Sequence, residues 1–227
     1  MNFVKTILVL ILYVVCLTTK GQHDFGVKIN GGWSKISTEI NSSSQLLQKF
    51  RFMPSYQGGL IYNFNFNNKS IIGAELLFSK ITGKEHSEEP TIDKFGSPTN
   101  QLITTDIDRN ISYLSIPIYY GYNYKKLHLN FGIQTSFAIV SDGLAKTSAP
   151  DSNGNMLYFE SKSEKLPIKN FDFGVRVGVC FSLTKSFILE STYYYGLLNI
   201  HKVNSTSWKW STQQFTVGIK YNIIAHK

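Results

Sequence analysis

The stretch FDFGVRVGVCFSL, residues 171–183, decides the fold. Phe171, Phe173, Val175, Val177, Val179, Phe181 and Leu183 fall on one register, and Asp172, Gly174, Arg176, Gly178 and Cys180 on the other. A period of two is the signature of a strand with two unlike faces. The unlikeness has an unusual sense. One face is bulky and apolar, whereas the other is mostly small and polar with few charges.

The same alternation recurs on both sides of this segment. Leu127, Leu129, Phe131, Ile133, Phe137 and Ile139 oppose His128, Asn130, Gly132, Gln134 and Ser136, and Phe215, Val217, Ile219 and Tyr221 oppose Gln214, Thr216, Gly218 and Lys220. Upstream, Tyr56, Leu60, Tyr62, Phe64 and Phe66 oppose Gln57, Gly59, Asn63 and Asn65. Strands are predicted near 24–33, 55–66, 70–81, 109–123, 126–140, 167–183, 186–198 and 208–224. The only hint of a helical turn is Leu46, Leu47 and Phe50, inside a connection.

The connections sort by length. Asn67-Asn68-Lys69, Tyr124-Lys125 and Thr184-Lys185 are tight, while 34–54, 82–108, 141–166 and 199–207 are long, and the two kinds alternate. An up-and-down barrel then carries its tight turns on one rim and its long loops on the other, the plan of bacterial outer-membrane barrels. A soluble barrel would turn the apolar face inward and need many charges outside. With 17% charged and 14% aromatic residues the chain lacks that coat. Gly, Asn, Gln and Ser suit a crowded narrow lumen, and the bulky register suits lipid. The predicted fold is therefore all-β, an eight-stranded antiparallel up-and-down transmembrane β-barrel. Aromatics near the strand ends predict two interfacial belts. Tyr62, Phe64, Phe66, Tyr120, Tyr122, Tyr124 and Phe187 fall by the tight turns, and Trp33, Trp208, Trp210, Tyr193 and Tyr195 towards the long loops.

A mean hydropathy of −0.10 excludes a helical membrane bundle. Aromatic and β-branched residues recurring to the end of the chain exclude disorder. Residues 1–21 read as a cleaved signal peptide: Lys5, an apolar run from Ile7 to Leu17, then Thr19-Lys20-Gly21 before Gln22. Val15 before Cys16 speaks against a lipoprotein signal. Residues 22–227 form the barrel domain, with Cys180 its one cysteine and no intrachain disulfide. Processing removes Lys5 and Lys20 and lowers the net charge from +8 to +6.

Residues Tyr113-Leu114-Ser115-Ile116-Pro117-Ile118-Tyr119-Tyr120-Gly121-Tyr122 resemble the Ile-Pro strand of the PorT-like outer-membrane β-barrel domain, common in the Bacteroidota. The early FGVKINGGWS (25–34) and late FDFGVRVGV (171–179) strands are similar in layout. The resemblance implies an eight-stranded barrel and no fixed activity; its namesake member supports a protein-secretion apparatus. Physically, Pro117 lacks an N–H and predicts a bulge or bend on the inner face.

Chemistry is sparse. His128 reads as the only strand-borne histidine, with no Ser and acid pair placed beside it by spacing, as a nucleophilic triad needs. His86 and His201 fall in long loops, and His23 and His226 at the ends. No catalytic residue, metal ligand or cofactor is expected. Asp151-Ser152-Asn153-Gly154-Asn155 has its glycine too early for a calcium loop and reads as a turn. Five inner-face charges stand out: Lys28, Glu75, Arg176, Glu190 and Lys220. Buried charges must pair, so an interior cluster filling the lumen is predicted.

Lys69, Lys125, Lys126 and Lys185 mark the tight-turn rim, and loop 82–108 is rich in acids. No accessible basic face suits nucleic acid. The expected role is non-enzymatic, structural or surface-interacting, at the cell outer membrane with both termini periplasmic. Expected partners are outer-membrane lipid and lipopolysaccharide, and periplasmic or surface proteins. An auxiliary role in secretion and a lipid-modifying enzyme are the alternatives.

Overall fold

The computed structural model describes residues 22–40, 47–67, 69–92, 98–151, 155–202 and 208–224. The signal-peptide segment, Leu46, Trp208's side chain and His226 lie outside the described parts. Among the described residues nine strands follow in chain order: β1 (Gln22–Ile40), β2 (Leu47–Asn65), β3 (Ser70–Ile92), β4 (Pro98–Tyr124), β5 (Leu127–Pro150), β6 (Met156–Ser163), β7 (Phe171–Ser182), β8 (Phe187–Gly196) and β9 (Trp208–Ile224). Every pairing is antiparallel. The sheet order β4-β3-β2-β1-β9-β8-β7-β5 is closed by β4 against β5, which makes an eight-stranded ring. β6 pairs with β5 alone, from Gly143↔Ser163 to Pro150↔Met156, and stands outside the ring.

The two registers read from the sequence are the two surfaces of this ring. Ile29 and Phe131 are 74% and 61% exposed on the outside, whereas their chain neighbours Lys28 and Asn130 are 4% and 7% exposed within. Lipid solvates the first kind of residue, and the lumen pairs the second with other polar groups. A strand crosses a bilayer in about 9–11 tilted residues. The 12 residues of β7 and 10 of β8 match that length. The 23, 27 and 24 residues of β3, β4 and β5 exceed it more than two-fold.

Much of the predicted long connections is therefore strand. The β2–β3 ladder runs out to Leu47↔Glu88, β3–β4 to Ile92↔Pro98 and β4–β5 to Thr104↔Ser148. Leu47 and Phe50 belong to β2 and not to a helical turn. The charged residues of 82–92 and 98–108 lie on paired strand, where Lys84, His86, Asp106 and Asp108 pair on one face while Glu85 is buried on the other; residues 93–97 lie outside the described parts. One flank of the barrel thus rises well past its rim.

Pro117 departs from expectation. It is buried, but the β4–β5 register runs through Pro117↔Gln134 unbroken, and the shift lies between Ser112 and Tyr113. Its missing N–H appears as a lapse in the ladder to β3, where pairing skips from Ala74↔Ile118 to Leu77↔Ser115 without changing register. The register shift between β2 and β3, from Phe52 to Tyr56, brackets a different proline, Pro54.

Of the tight turns, Lys125 takes a φ of 55°, in the left-handed region that costs an L-residue roughly 1–2 kcal/mol. Glycine tolerates it but loses more chain entropy on folding. Lys125→Gly is expected to stabilise the barrel by about 0.5–1 kcal/mol, read as a raised urea midpoint in detergent.

Candidate functional site

The lumen is organised around the five inner-face charges. They come from five strands: Lys28 on β1, Glu75 on β3, Arg176 on β7, Glu190 on β8 and Lys220 on β9. Each of the three cations touches both carboxylates. Lys28 Nζ lies 2.9 Å from Glu75 Oε2 and 2.7 Å from Glu190 Oε2. Arg176 reaches Glu75 Oε2 through Nη1 at 2.7 Å and Glu190 Oε1 through Nη2 at 3.1 Å. Lys220 Nζ sits 3.0 Å from Glu75 Oε1 and 2.8 Å from Glu190 Oε1. All five residues are buried.

Register explains the arrangement. Lys28 and Lys220 face one another directly across β1 and β9, a repulsive cross-strand pair if left alone. Glu190 arrives from β8 on one side and Glu75 from β3 on the other, and each carboxylate spans both ammonium groups. Asn30 Nδ2 donates to Glu190 Oε2 at 3.0 Å. Tyr119 closes the lattice towards β4: it accepts from Lys220 Nζ at 3.5 Å, donates to Asn63 Oδ1 at 2.7 Å, and lies beneath the Arg176 and Lys220 cations, 5.7 and 5.2 Å from its ring centroid. Its ring lies over Gly73, where a Cβ would come within 2.2 Å of Tyr119 Cζ. With three cations and two anions, the lattice keeps one net positive charge.

Towards the long-strand rim the lumen is filled in two further layers. Ser79, Ser115 and Ser136 chain their hydroxyls at 3.0 and 2.9 Å, while the Thr192 and Thr216 hydroxyls meet at 2.8 Å and Gln57 Nε2 donates to Thr216 Oγ1 at 2.9 Å. Buried Asp172 accepts from Thr212 Oγ1 at 2.6 Å, Tyr194 OH at 3.1 Å and the Phe173 amide at 2.8 Å. Above them is an apolar plug of Ile36, Ile81, Ile111, Tyr113 and Trp210, onto which Leu166, Ile168 and Ile200 fold. Those last three come from connections, held over the mouth by the Ile168↔His201 bridge and the Lys169 N–H to Ile200 carbonyl bond of 2.7 Å.

Trp210 corrects the predicted aromatic belt. It is 5% exposed, where Trp33 is 54%. Its parity is that of Thr212, Gln214 and Thr216, so it points inward, 4.3 Å from the Arg109 guanidinium and 4.7 Å from the His201 ring. Arg109 in turn pairs with buried Glu85 at 2.6 Å.

The tight-turn end is open. A cavity of about 460 Å³ lies below the lattice, with Tyr119 and Lys220 in its wall and Asn63, Asn65, Asn130 and Asn222 around it. His128 opens onto the same cavity and is not the only strand histidine, since His23 lies on β1 and His86 on β3. Nor is it without a serine. His128 Nε2 is 2.6 Å from Ser182 Oγ, and Nδ1 is hydrogen-bonded to Asn123 Oδ1. Spacing along the chain could not bring Ser182 there. The β5–β7 register does, by setting His128 opposite Cys180, and β4–β5 sets Asn123 opposite His128.

His86 belongs to the sheet beyond the rim, where Nδ1 meets Asp106 Oδ1 at 2.7 Å and Nε2 meets Glu88 Oε1 at 3.1 Å. Hydrogen bonds to Asp106 and then to Glu88 raise its pKa above 6.5, and the bond to His86 lowers Asp106 below 3.8. The couple is at full strength between 3.8 and 6.5, is lost as pH rises through the raised His86 value, and is lost at the acid end as Asp106 protonates. In an NMR titration, Asp106→Asn is expected to bring the His86 midpoint back towards 6.5. Asp151 and Asn155 lie between β5 and β6, with the Asn155 backbone N–H donating to Asp151 Oδ1 at 2.8 Å; Ser152, Asn153 and Gly154 lie outside the described residues.

The family model described as outer membrane protein beta-barrel domain matches residues 19–202. No curated protein matches the sequence. Among solved structures, neisserial surface protein A is 12% identical with a TM-score of 0.40, over 88% of this chain and 97% of that one. OprG from Pseudomonas aeruginosa is 11% identical with a TM-score of 0.40, over 90% and 97%. The outer membrane protease OmpT from Escherichia coli is 10% identical with a TM-score of 0.39, over 89% and 97%.

Proposed function

The chain belongs to the outer membrane protein β-barrel domain family, and from that membership we propose a non-conducting outer-membrane barrel with a structural and surface-interaction role. The observation that carries this reading is the filled lumen. The plug of Ile111, Tyr113 and Trp210 closes the long-strand end, and the lattice of six ion contacts closes the middle. Eight strands leave an interior narrow enough for side chains to block. What the barrel offers to its surroundings is then its lipid-facing band and the raised sheet of β3 to β6, whose outermost strand presents Met156, Leu157, Tyr158 and Phe159 to solvent.

The tight turns and both termini face the periplasm in this reading, and the raised sheet faces outward to lipopolysaccharide and surface proteins. Such a role needs no catalysis at the lattice or the outer sheet. In a planar bilayer the purified protein is expected to give no steady conductance above the lipid baseline; open-channel currents would overturn the proposal. The Tyr113–Tyr122 strand favours a second reading, a PorT-like auxiliary of protein secretion. Comparing the secretome of a deletion strain with its parent tests it: an unchanged secretome removes that role and leaves the surface role standing.

A further inference from the structure

We infer that Ser182, His128 and Asn123 form a nucleophilic site at the tight-turn end of the lumen, one that hydrolyses small polar carboxylic esters. Three strands supply one group each, β7, β5 and β4 in turn. The geometry is that of an activated serine: Ser182 Oγ 2.6 Å from His128 Nε2, and the opposite ring nitrogen bonded to the Asn123 carbonyl oxygen. An acceptor on Nδ1 fixes the tautomer that leaves Nε2 free to take a proton. Asn123 is thus the positioning residue, and Ser182 and His128 the catalytic ones.

A hydrogen bond that merely clipped the strands together could be sealed among side chains. This one opens onto a cavity, and all three residues line it. Its volume of about 460 Å³ falls within the range of small-molecule sites, roughly 300–1,000 Å³. The cavity wall is of two kinds. Ile71 and Ile188 offer an apolar flank for a short acyl chain, and the asparagines offer partners for a hydroxylated alcohol. The side-chain carbonyl oxygens of Asn130 and Asn222, each residue 7% exposed, have no hydrogen-bond partner among the described residues and would accept from ligand hydroxyls. Lys185 lines the same space as an N–H donor for a developing oxyanion.

In the reaction Ser182 Oγ attacks the ester carbonyl carbon while its proton passes to His128 Nε2. The tetrahedral adduct collapses with cleavage of the carbon–oxygen bond to the alcohol, which leaves with the proton from His128. Water then attacks the acyl-serine, giving its proton to His128, and Ser182 is released with that proton as the carboxylic acid departs. The sum is ester plus water to acid plus alcohol.

The test uses the full-length folded protein in detergent with a fluorophosphonate probe. A serine so activated displaces fluoride and retains the phosphonyl group. Mass spectrometry is expected to find one label, on the peptide carrying Ser182, absent in Ser182→Ala. Labelling is expected to slow at least ten-fold in His128→Ala and in Asn123→Ala, and to persist in Asn123→Asp, which keeps the acceptor. Should His128→Ala fail to fold, His128→Gln and the wild-type result decide. Each sample is checked for the heat-dependent gel shift of a closed barrel. An unlabelled folded wild type, a label on another residue, or a Ser182 label indifferent to His128 would overturn the proposal. Full-rate labelling of Asn123→Ala would overturn the positioning part.

Discussion

Glu190→Ala is expected to destabilise the barrel by about 3–5 kcal/mol, the range for removing one partner from a buried charge network. The loss exceeds that of a single ion pair because Glu190 accepts from Lys28, Arg176, Lys220 and Asn30 together. Without it, three cations face Glu75 alone, and the net charge inside the lumen rises from one to two. Lys28→Met in the same chain returns that charge to one, so the double variant is expected to recover part of the loss. Glu75→Ala follows the same argument through its contacts to all three cations. Urea unfolding in detergent measures these values. A change below 1 kcal/mol in either single variant would mean that the charges are solvated rather than locked together.

Trp210→Ala is expected to cost about 3–5 kcal/mol, the usual range for emptying a buried aromatic site. The indole packs in the plug, beneath the Arg109 guanidinium and beside the His201 ring, and neither neighbour finds an equivalent partner when it is gone. Trp33→Ala is the internal control. That ring points away from the lumen and is expected to change stability far less. Hydrogen exchange should accelerate in segments 164–170 and 197–202 in the Trp210 variant and stay unchanged in the Trp33 variant. Equal effects from the two tryptophans would refute the inward placement of Trp210.

The sequence carried the two surfaces of the barrel because a period of two is visible within a single strand. Phe131 and Asn130 declare their faces without any knowledge of their neighbours. For the same reason the inner parity of Lys28, Glu75, Arg176, Glu190 and Lys220 could be read along each strand, and the structure brings all five within 2.7–3.1 Å of an opposite charge. What escaped reading depends on register between strands or on segments without a period. Ser182 meets His128 only because β5 and β7 pair with Cys180 opposite His128. Leu166, Ile168 and Ile200 sit in connections, where no alternation marks them as core. The extension of β3 and β4 was hidden by its polarity, since Lys84, His86, Asp106 and Asp108 pair across the ladder and resemble loop residues in composition. Trp210 was legible after all, through its parity with Thr212, and grouping it by rim rather than by face misplaced it.

The ion lattice joins the first strand of the ring to the last. Lys28 and Glu190 are 162 residues apart, and Glu75 and Lys220 are 145 apart. A nascent barrel that lacks β9 has no Lys220, so Glu75 Oε1 and Glu190 Oε1 each lack one of their contacts until the final strand docks. Arrival of β9 therefore zips the seam and brings the third cation onto both carboxylates in one event, so until then those oxygens have reason to stay hydrated. Contacts of such long range form late and slowly. The shared carboxylates serve as the latch of assembly: their full set of contacts forms in the complete ring and is withheld from every shorter one.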